Sequence, residues 1–282
     1  AYTTNIHTHG LHISGDGNAD DVTRAVASGQ CMKYNYDIPA THMGGTYWYH
    51  SHKHHNTNEH VKGGAFGMLI IEEQSNLAPT SGIAQWLSPD NEVLLIASKI
   101  GQDVRGNGNP DTELIPIIAD EWYRLRVAAV EPNAASYDIE VDNCEVRAVA
   151  YDGVWRMDVP STTVASSYKL TGASRMDFAV KCSAGSHQVS YAGKVIAELQ
   201  SSVGTTTIAT PFDNGNTWQP ARPAYLADLQ NTAIDESYSI SMTAAHINGN
   251  TWDEDIPMRS FAYDTVQEWT ISASGSHPFH LH

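Results

Sequence analysis

The octapeptide Gly45-Thr46-Tyr47-Trp48-Tyr49-His50-Ser51-His52 constrains this chain more than any other stretch. Tyr47, Trp48 and Tyr49 are aromatic strand formers, and side chains at i and i+2 of a strand leave the same face. His50 and His52 are therefore expected side by side, aimed at one point or at two neighbouring ones. The spacing recurs at His7-Thr8-His9 and at His280-Leu281-His282. Imidazole suits copper, zinc, iron and nickel. Three such pairs on three separate strands imply a cluster of metal ions rather than one ion. The rest of the chain must then be the scaffold that brings the pairs together.

That scaffold reads as all-β. Strand-length runs bounded by turn residues recur at Met32–Ile38, Tyr47–His52, Met68–Ile71, Val93–Ile96, Ile115–Ile118, Trp122–Val127, Tyr137–Val141 and Val146–Tyr151. They continue at Met176–Val180, Gln188–Tyr191, Tyr238–Thr243 and Glu268–Ser272, with hardly a segment showing a sustained 3.6-residue period. Lys53–Lys62 reads as a polar, His-rich loop, and Ser75–Asp90 as a loop at a domain boundary. The proline-bearing Thr210–Pro223 reads as a linker. Units of sandwich size are expected at 1–75, 91–205 and 206–282.

A net charge of −16 makes nucleic acid and anionic membrane surfaces poor partners. No run approaches the roughly 18 apolar residues of a membrane span. Three cysteines, Cys31, Cys144 and Cys182, have no CxxC spacing, so no disulfide framework is expected. A single His-x-His pair also occurs in zinc hydrolases. One such class needs the long helices of a (β/α)₈ barrel. Another needs a carboxylate where this chain has His54. Both readings fail here.

Taken in order, these motifs resemble those of the multicopper oxidases, the laccase-like members with three cupredoxin domains. His7-Thr8-His9-Gly10 is similar to the family's first copper motif and Gly45–His52 to its second. Gly63–Ile71 is similar to the strand that follows, and His277-Pro278-Phe279-His280-Leu281-His282 to the third motif. Glu121–Arg126, Tyr151-Asp152-Gly153 and Arg175-Met176-Asp177 resemble signatures of the middle domain, and Val266–Ile271 the strand before the third motif. The resemblance implies tandem cupredoxin-like Greek-key β-sandwiches or barrels. It also implies a copper enzyme that couples one-electron oxidation of phenols, aromatic amines or metal ions to four-electron reduction of O2 to water. A non-catalytic copper-binding or structural protein on the same fold is the alternative.

Carried over motif by motif, His7 and His280 would hold a type 2 copper, and His9, His50, His52 and His282 a binuclear type 3 pair. His277 would serve a type 1 copper. Asp20 resembles the acidic residue that assists protons near the type 2 ion, with Asp21 its neighbour and a solvated turn carboxylate the plain alternative. The family's His-Cys-His motif does not occur in the chain, which reads as the interior of a longer protein: domain one lacks its first strands and domain three its last. O2 and a small reducing substrate are the implied partners, and the extracellular space or periplasm the implied compartment. Cys182 and His187 sit in a segment resembling the Cys-to-His loop of small blue copper proteins. No histidine between Asn91 and Lys181 could serve as an upstream ligand. Cys182 is therefore expected to be a small buried hydrophobe and His187 an ordinary loop residue.

Overall fold

A computed structural model describes residues 3–74, 81–133, 135–205, 212, 217–243, 245–253, 256–273 and 278–282. Residues 1–221 with His282 form one compact unit and residues 222–281 a second.

The first unit opens with β1 (Thr3–Thr4), β2 (His7–His9), β3 (Val26–Ala27), β4 (Gly45–His50), α1 (Thr57–Lys62) and β5 (Phe66–Ile71). Next come α2 (Ser81–Trp86), β6 (Glu92–Ile100), β7 (Asp103–Gly106), β8 (Glu113–Ile118), β9 (Trp122–Val130) and β10 (Ser136–Val141). The unit continues through β11 (Cys144–Tyr151), β12 (Val154–Trp155), β13 (Ser167–Thr171), β14 (Arg175–Cys182), β15 (Gly185–Tyr191) and β16 (Lys194–Ser202). The second unit carries β17 (Glu236–Met242) and β18 (Gln267–Ala273), which pair in parallel. Its Trp269 ring lies 5.1 Å from Phe261 and 6.1 Å from both Tyr238 and Phe279.

From β6 to β16 the chain makes a sandwich. A six-stranded sheet, β12-β11-β14-β9-β6-β7, encloses one core with a five-stranded sheet, β13-β10-β15-β16-β8. The apolar residues that alternate along β9, β14 and β15 supply that core, including Leu125, Val127, Phe178, Val180 and Val189, all at 1% exposure or less. The pairs β6–β9 and β8–β16 run parallel. Parallel neighbours need a crossover rather than a hairpin, and these crossovers give a cupredoxin sandwich its winding.

The smaller sheet, β2-β4-β5, docks on this sandwich. Trp48 of β4 and Val61 of α1 meet Val130 at the end of β9, with Phe66, Ile96 and Ala173 packed against them. A buried polar network joins the two sheets beside this contact. Arg124 of β9, fully buried, donates through Nε (3.0 Å) and Nη2 (2.6 Å) to Asp177 Oδ2 on β14 and through Nη1 to Glu73 Oε1 at 3.0 Å. Thr46 Oγ1 on β4 donates to Asp177 Oδ1 at 2.6 Å and accepts from Arg126 Nη1 at 3.2 Å. Arg126 also pairs with Glu92. Arg175 Nε donates to the Thr46 carbonyl at 3.3 Å. The indole of Trp155 donates to Glu73 at 3.2 Å, with the Arg124 guanidinium 4.2 Å from its ring centre. Backbone meets backbone where Gly45 faces Gly153: a Cβ on Gly45 would stand 2.5 Å from the Gly153 carbonyl oxygen. The segments Glu121–Arg126 and Arg175–Asp177, singled out by resemblance, thus have a physical role as the polar bolt between the two sheets.

Several expectations are corrected. Met32–Ile38 forms no strand. The loop expected over Lys53–Lys62 contains α1, and the one over Ser75–Asp90 contains α2, whose Trp86 is 0% exposed and packs edge-on to Phe212 at 4.8 Å. Residues 278–282 are not a strand, so the shared-face argument for His280 and His282 does not hold there. His277 lies outside the described residues. Cys182 is no free thiol: it is disulfide-bonded to Cys144, its direct partner across β11 and β14. His187 is on β15, not in a loop, and is 4% exposed. No helix among the described residues is long and apolar enough to cross a membrane.

Candidate metal centre

Strand pairing assembles the site. In the β2–β4 register His7 faces His50 and His9 faces Trp48, and His52 follows two residues beyond His50. Ring centres stand 5.5 Å apart for His7–His9, 5.3 Å for His7–His50, 5.2 Å for His7–His52, 5.6 Å for His9–His50 and 5.4 Å for His50–His52. His282, which groups with the first unit, stacks on His7 at 4.4 Å and meets His52 edge-on at 4.6 Å. Five imidazoles of the first unit therefore surround one volume. His280 belongs to the second unit.

Neighbours fix the orientation of these rings. His7 Nδ1 donates to Asp20 Oδ2 at 2.8 Å, and Asp20 Oδ1 accepts the Thr8 N–H at 2.9 Å. Asp20 is 9% exposed, so it is not a solvated turn carboxylate. Asp21, by contrast, caps its own turn through Thr23. His50 Nδ1 donates to the Ser51 carbonyl at 3.0 Å. In both rings Nδ1 is thus engaged, and Nε2 is the nitrogen turned towards the shared volume. Burial, with His7 beside it, pushes His52 down to about 4, so at neutral pH it holds a free lone pair.

The donor set fits a metal. His9 Nδ1 and His50 Nε2 are 3.4 Å apart. With metal–imidazole bonds of about 2.0–2.1 Å, two ligands of one tetrahedral ion stand roughly 3.4 Å apart. Trp48 lies flat against both rings, 4.2 Å from His50 and 4.8 Å from His9. A cleft of about 260 Å³ opens on His9, His50 and His52, walled by Trp48, Val130 and Glu131.

Sequence reasoning missed three supports. Asn5 is 2% exposed; it bridges the Val22 and Arg24 carbonyls through Nδ2 and accepts the His52 N–H at 2.7 Å. Ser51 Oγ is 2.7 Å from His60 Nδ1, which ties α1 to the site. His42, 4% exposed, accepts the His12 N–H at 3.0 Å and donates to the Met43 carbonyl at 2.8 Å. An asparagine two residues before a His-x-His pair was the one local signal for any of these.

Comparison with known proteins bears on the family likeness and the fold. Residues 1–76 match the family model described as multicopper oxidase. Laccase-1 of Thanatephorus cucumeris is 26% identical over 183 residues, covering 54% of this chain and 30% of that protein. Laccase-2 of Pleurotus ostreatus is 46% identical over 54 residues, 18% of this chain and 10% of that protein. The chain thus spans about a third of the length of the first curated relatives it matches. A laccase-like multicopper oxidase from Ochrobactrum sp. superposes with a TM-score of 0.72 at 15% identity, covering 96% of this chain and 68% of that one. A multicopper oxidase from Campylobacter jejuni, described as a metallo-oxidase, gives 0.70 at 17% identity, covering 96% and 64%. At these identities the superpositions carry the fold, which is the cupredoxin fold.

Proposed function

We propose that the chain is part of a laccase-like multicopper oxidase, a copper enzyme that couples oxidation of a small reducing substrate to reduction of O2 to water. The observation that carries this reading is the register of His7 with His50, which gathers oriented imidazoles into one volume. In the finer assignment His7 and His280 hold a type 2 copper, His9, His50, His52 and His282 a type 3 pair, and His277 a type 1 copper. Residues 1–75, 91–205 and 206–282 are the corresponding three cupredoxin divisions. Phenols, aromatic amines or metal ions are the substrate classes. The extracellular space or periplasm is the compartment, a reading supported by the Cys144–Cys182 disulfide.

Copper bound there supplies one-electron redox chemistry and the means to deliver four electrons to O2. The protein's own residues prepare the place. Asp20 holds His7 in the tautomer that presents Nε2, and its buried charge offsets the added metal charge. By the family resemblance the same carboxylate would also assist proton delivery to the site. Asn5, through the His52 N–H, keeps the end of β4 from fraying. Trp48 stacks on His9 and His50 and blocks rotation of both rings. The cleft beside Glu131 admits a diatomic molecule and water.

The test is His50→Ala in the full-length protein. Reducing substrate should still bleach the blue absorption under nitrogen, since His50 serves only the cluster, but the colour should not return in air. Normal reoxidation would remove His50 from the cluster and the proposal with it.

A further inference from the structure

The disulfide of the sandwich has a third member. Cys144 Sγ, Cys182 Sγ and a ring nitrogen of His187 all lie within 4.8 Å of one another. The three come from β11, β14 and β15, so both sheets contribute. Cys182 is 1% exposed and His187 4%. The two imidazole nitrogens face two acceptors: Nδ1 is 3.1 Å from the Asp142 carbonyl oxygen and Nε2 is 2.8 Å from the Ser183 carbonyl oxygen. Both ring nitrogens are thus held against backbone carbonyls beside the two sulfurs.

We propose that Cys144, Cys182 and His187 form a redox-gated site for a thiophilic closed-shell ion, Zn2+ or Cu+. The disulfide is its closed form and the reduced pair its ligand set. Two thiolates and one imidazole are the donors such ions prefer. With bonds of about 2.3 Å to sulfur and about 2.0–2.1 Å to nitrogen, tetrahedral ligand atoms stand roughly 3.4–3.8 Å apart. Two sulfurs no longer bonded relax to about that separation. His187 has to close a gap of about 1 Å and exchange one carbonyl contact for the metal. Water takes the fourth position at a zinc ion, and Cu+ is satisfied by the three donors. This site is separate from the histidine cluster and does not depend on the function proposed for it.

The chemistry balances with a named reductant. A phosphine and one water convert the disulfide to two thiols and a phosphine oxide, a two-electron reduction of the S–S bond. Binding of Zn2+ to the two thiols then releases two protons.

The experiment uses the chain with Cys31→Ser, which removes the exposed free thiol. The protein is reduced by phosphine without denaturant, freed of reductant and titrated with Cd2+, a spectroscopic substitute for zinc. An ultraviolet thiolate-to-cadmium band should grow to one ion per chain and disappear on addition of Zn2+. Cadmium on histidines gives no such band. Oxidised chain should show none, and Cys144→Ser should abolish it. His187→Gln, which keeps both thiols, should weaken cadmium binding at least tenfold. The proposal is overturned by any one of four results: no band although both thiols react with a thiol reagent, a band of unchanged affinity in His187→Gln, loss of the β-sheet circular dichroism on reduction, or a disulfide that yields only in denaturant.

Discussion

The sandwich from β6 to β16 and the small sheet β2-β4-β5 belong to one compact unit but are held by different physics. The sandwich closes over a continuous apolar core in which both sheets share. Burial of that kind is non-directional and tolerates small shifts. Among the described residues the small sheet has a smaller apolar anchor, Trp48, Val61 and Val130 with Phe66, Ile96 and Ala173 packed against them. Its position comes from the Arg124–Asp177–Thr46–Glu73 network, whose bonds fix angle as well as distance. The histidines that must be set to fractions of an ångström sit on the sheet held by directional bonds. The difference teaches that in this molecule stability and site geometry are assigned to separate interactions.

The sharpest way to break the comparison is Arg124→Ala. It leaves Glu73 without its guanidinium partner and Asp177 with only that of Arg126 at 3.6 Å, and loss of one partner of a buried pair costs about 3–5 kcal/mol. Urea unfolding should show a loss of that size, and copper binding by His7, His9 and His50 should fall with it. If copper affinity is untouched, the network does not position the sheet. Asp20→Asn should act on the site alone. Replacing the partner of a ligand histidine costs about 10–100-fold in metal affinity, or roughly 1.4–2.7 kcal/mol. Equilibrium dialysis against copper measures it, and the urea midpoint of the metal-free chain should move far less than with Arg124→Ala. The mildest change, Ile139→Val in the sandwich core, should cost about 0.5–1.5 kcal/mol in unfolding and leave copper affinity unchanged. A drop in affinity there would show that the core, and not the polar bolt, sets the histidines.

How much of this was legible in the sequence follows the same divide. β-branched and aromatic runs announced β9, β11 and β14 within a few residues, because sandwich strands must alternate to fill a core. The first two His-x-His pairs were legible as a shared site, since a two-residue period needs no tertiary knowledge. Six-residue helices such as α1 and α2 were not, because less than two turns gives no period to detect. Met32–Ile38 alternates like a strand, yet alternation cannot supply a pairing partner. The Cys144–Cys182 bond depends on the β11–β14 register across 38 residues, which no spacing rule encodes. Asp20 was visible only as a carboxylate near a ligand. Its burial, which decides its role, comes from the fold.

The polar bolt also has a consequence in time. Arg124, Arg126, Arg175 and Asp177 all lie on β9 and β14, which pair directly with each other. That half of the network can exist before β4 arrives, while Thr46 and Glu73 complete it only afterwards. We predict that docking of the small sheet is a late event in folding, with the histidine cluster taking shape after the sandwich. Backbone amides of β4 should accordingly exchange with solvent deuterium through a lower-energy opening than those of β9. On that prediction a newly made chain passes through a stage with a finished sandwich and ungathered histidines, so a metal added then should be bound only after the final closure.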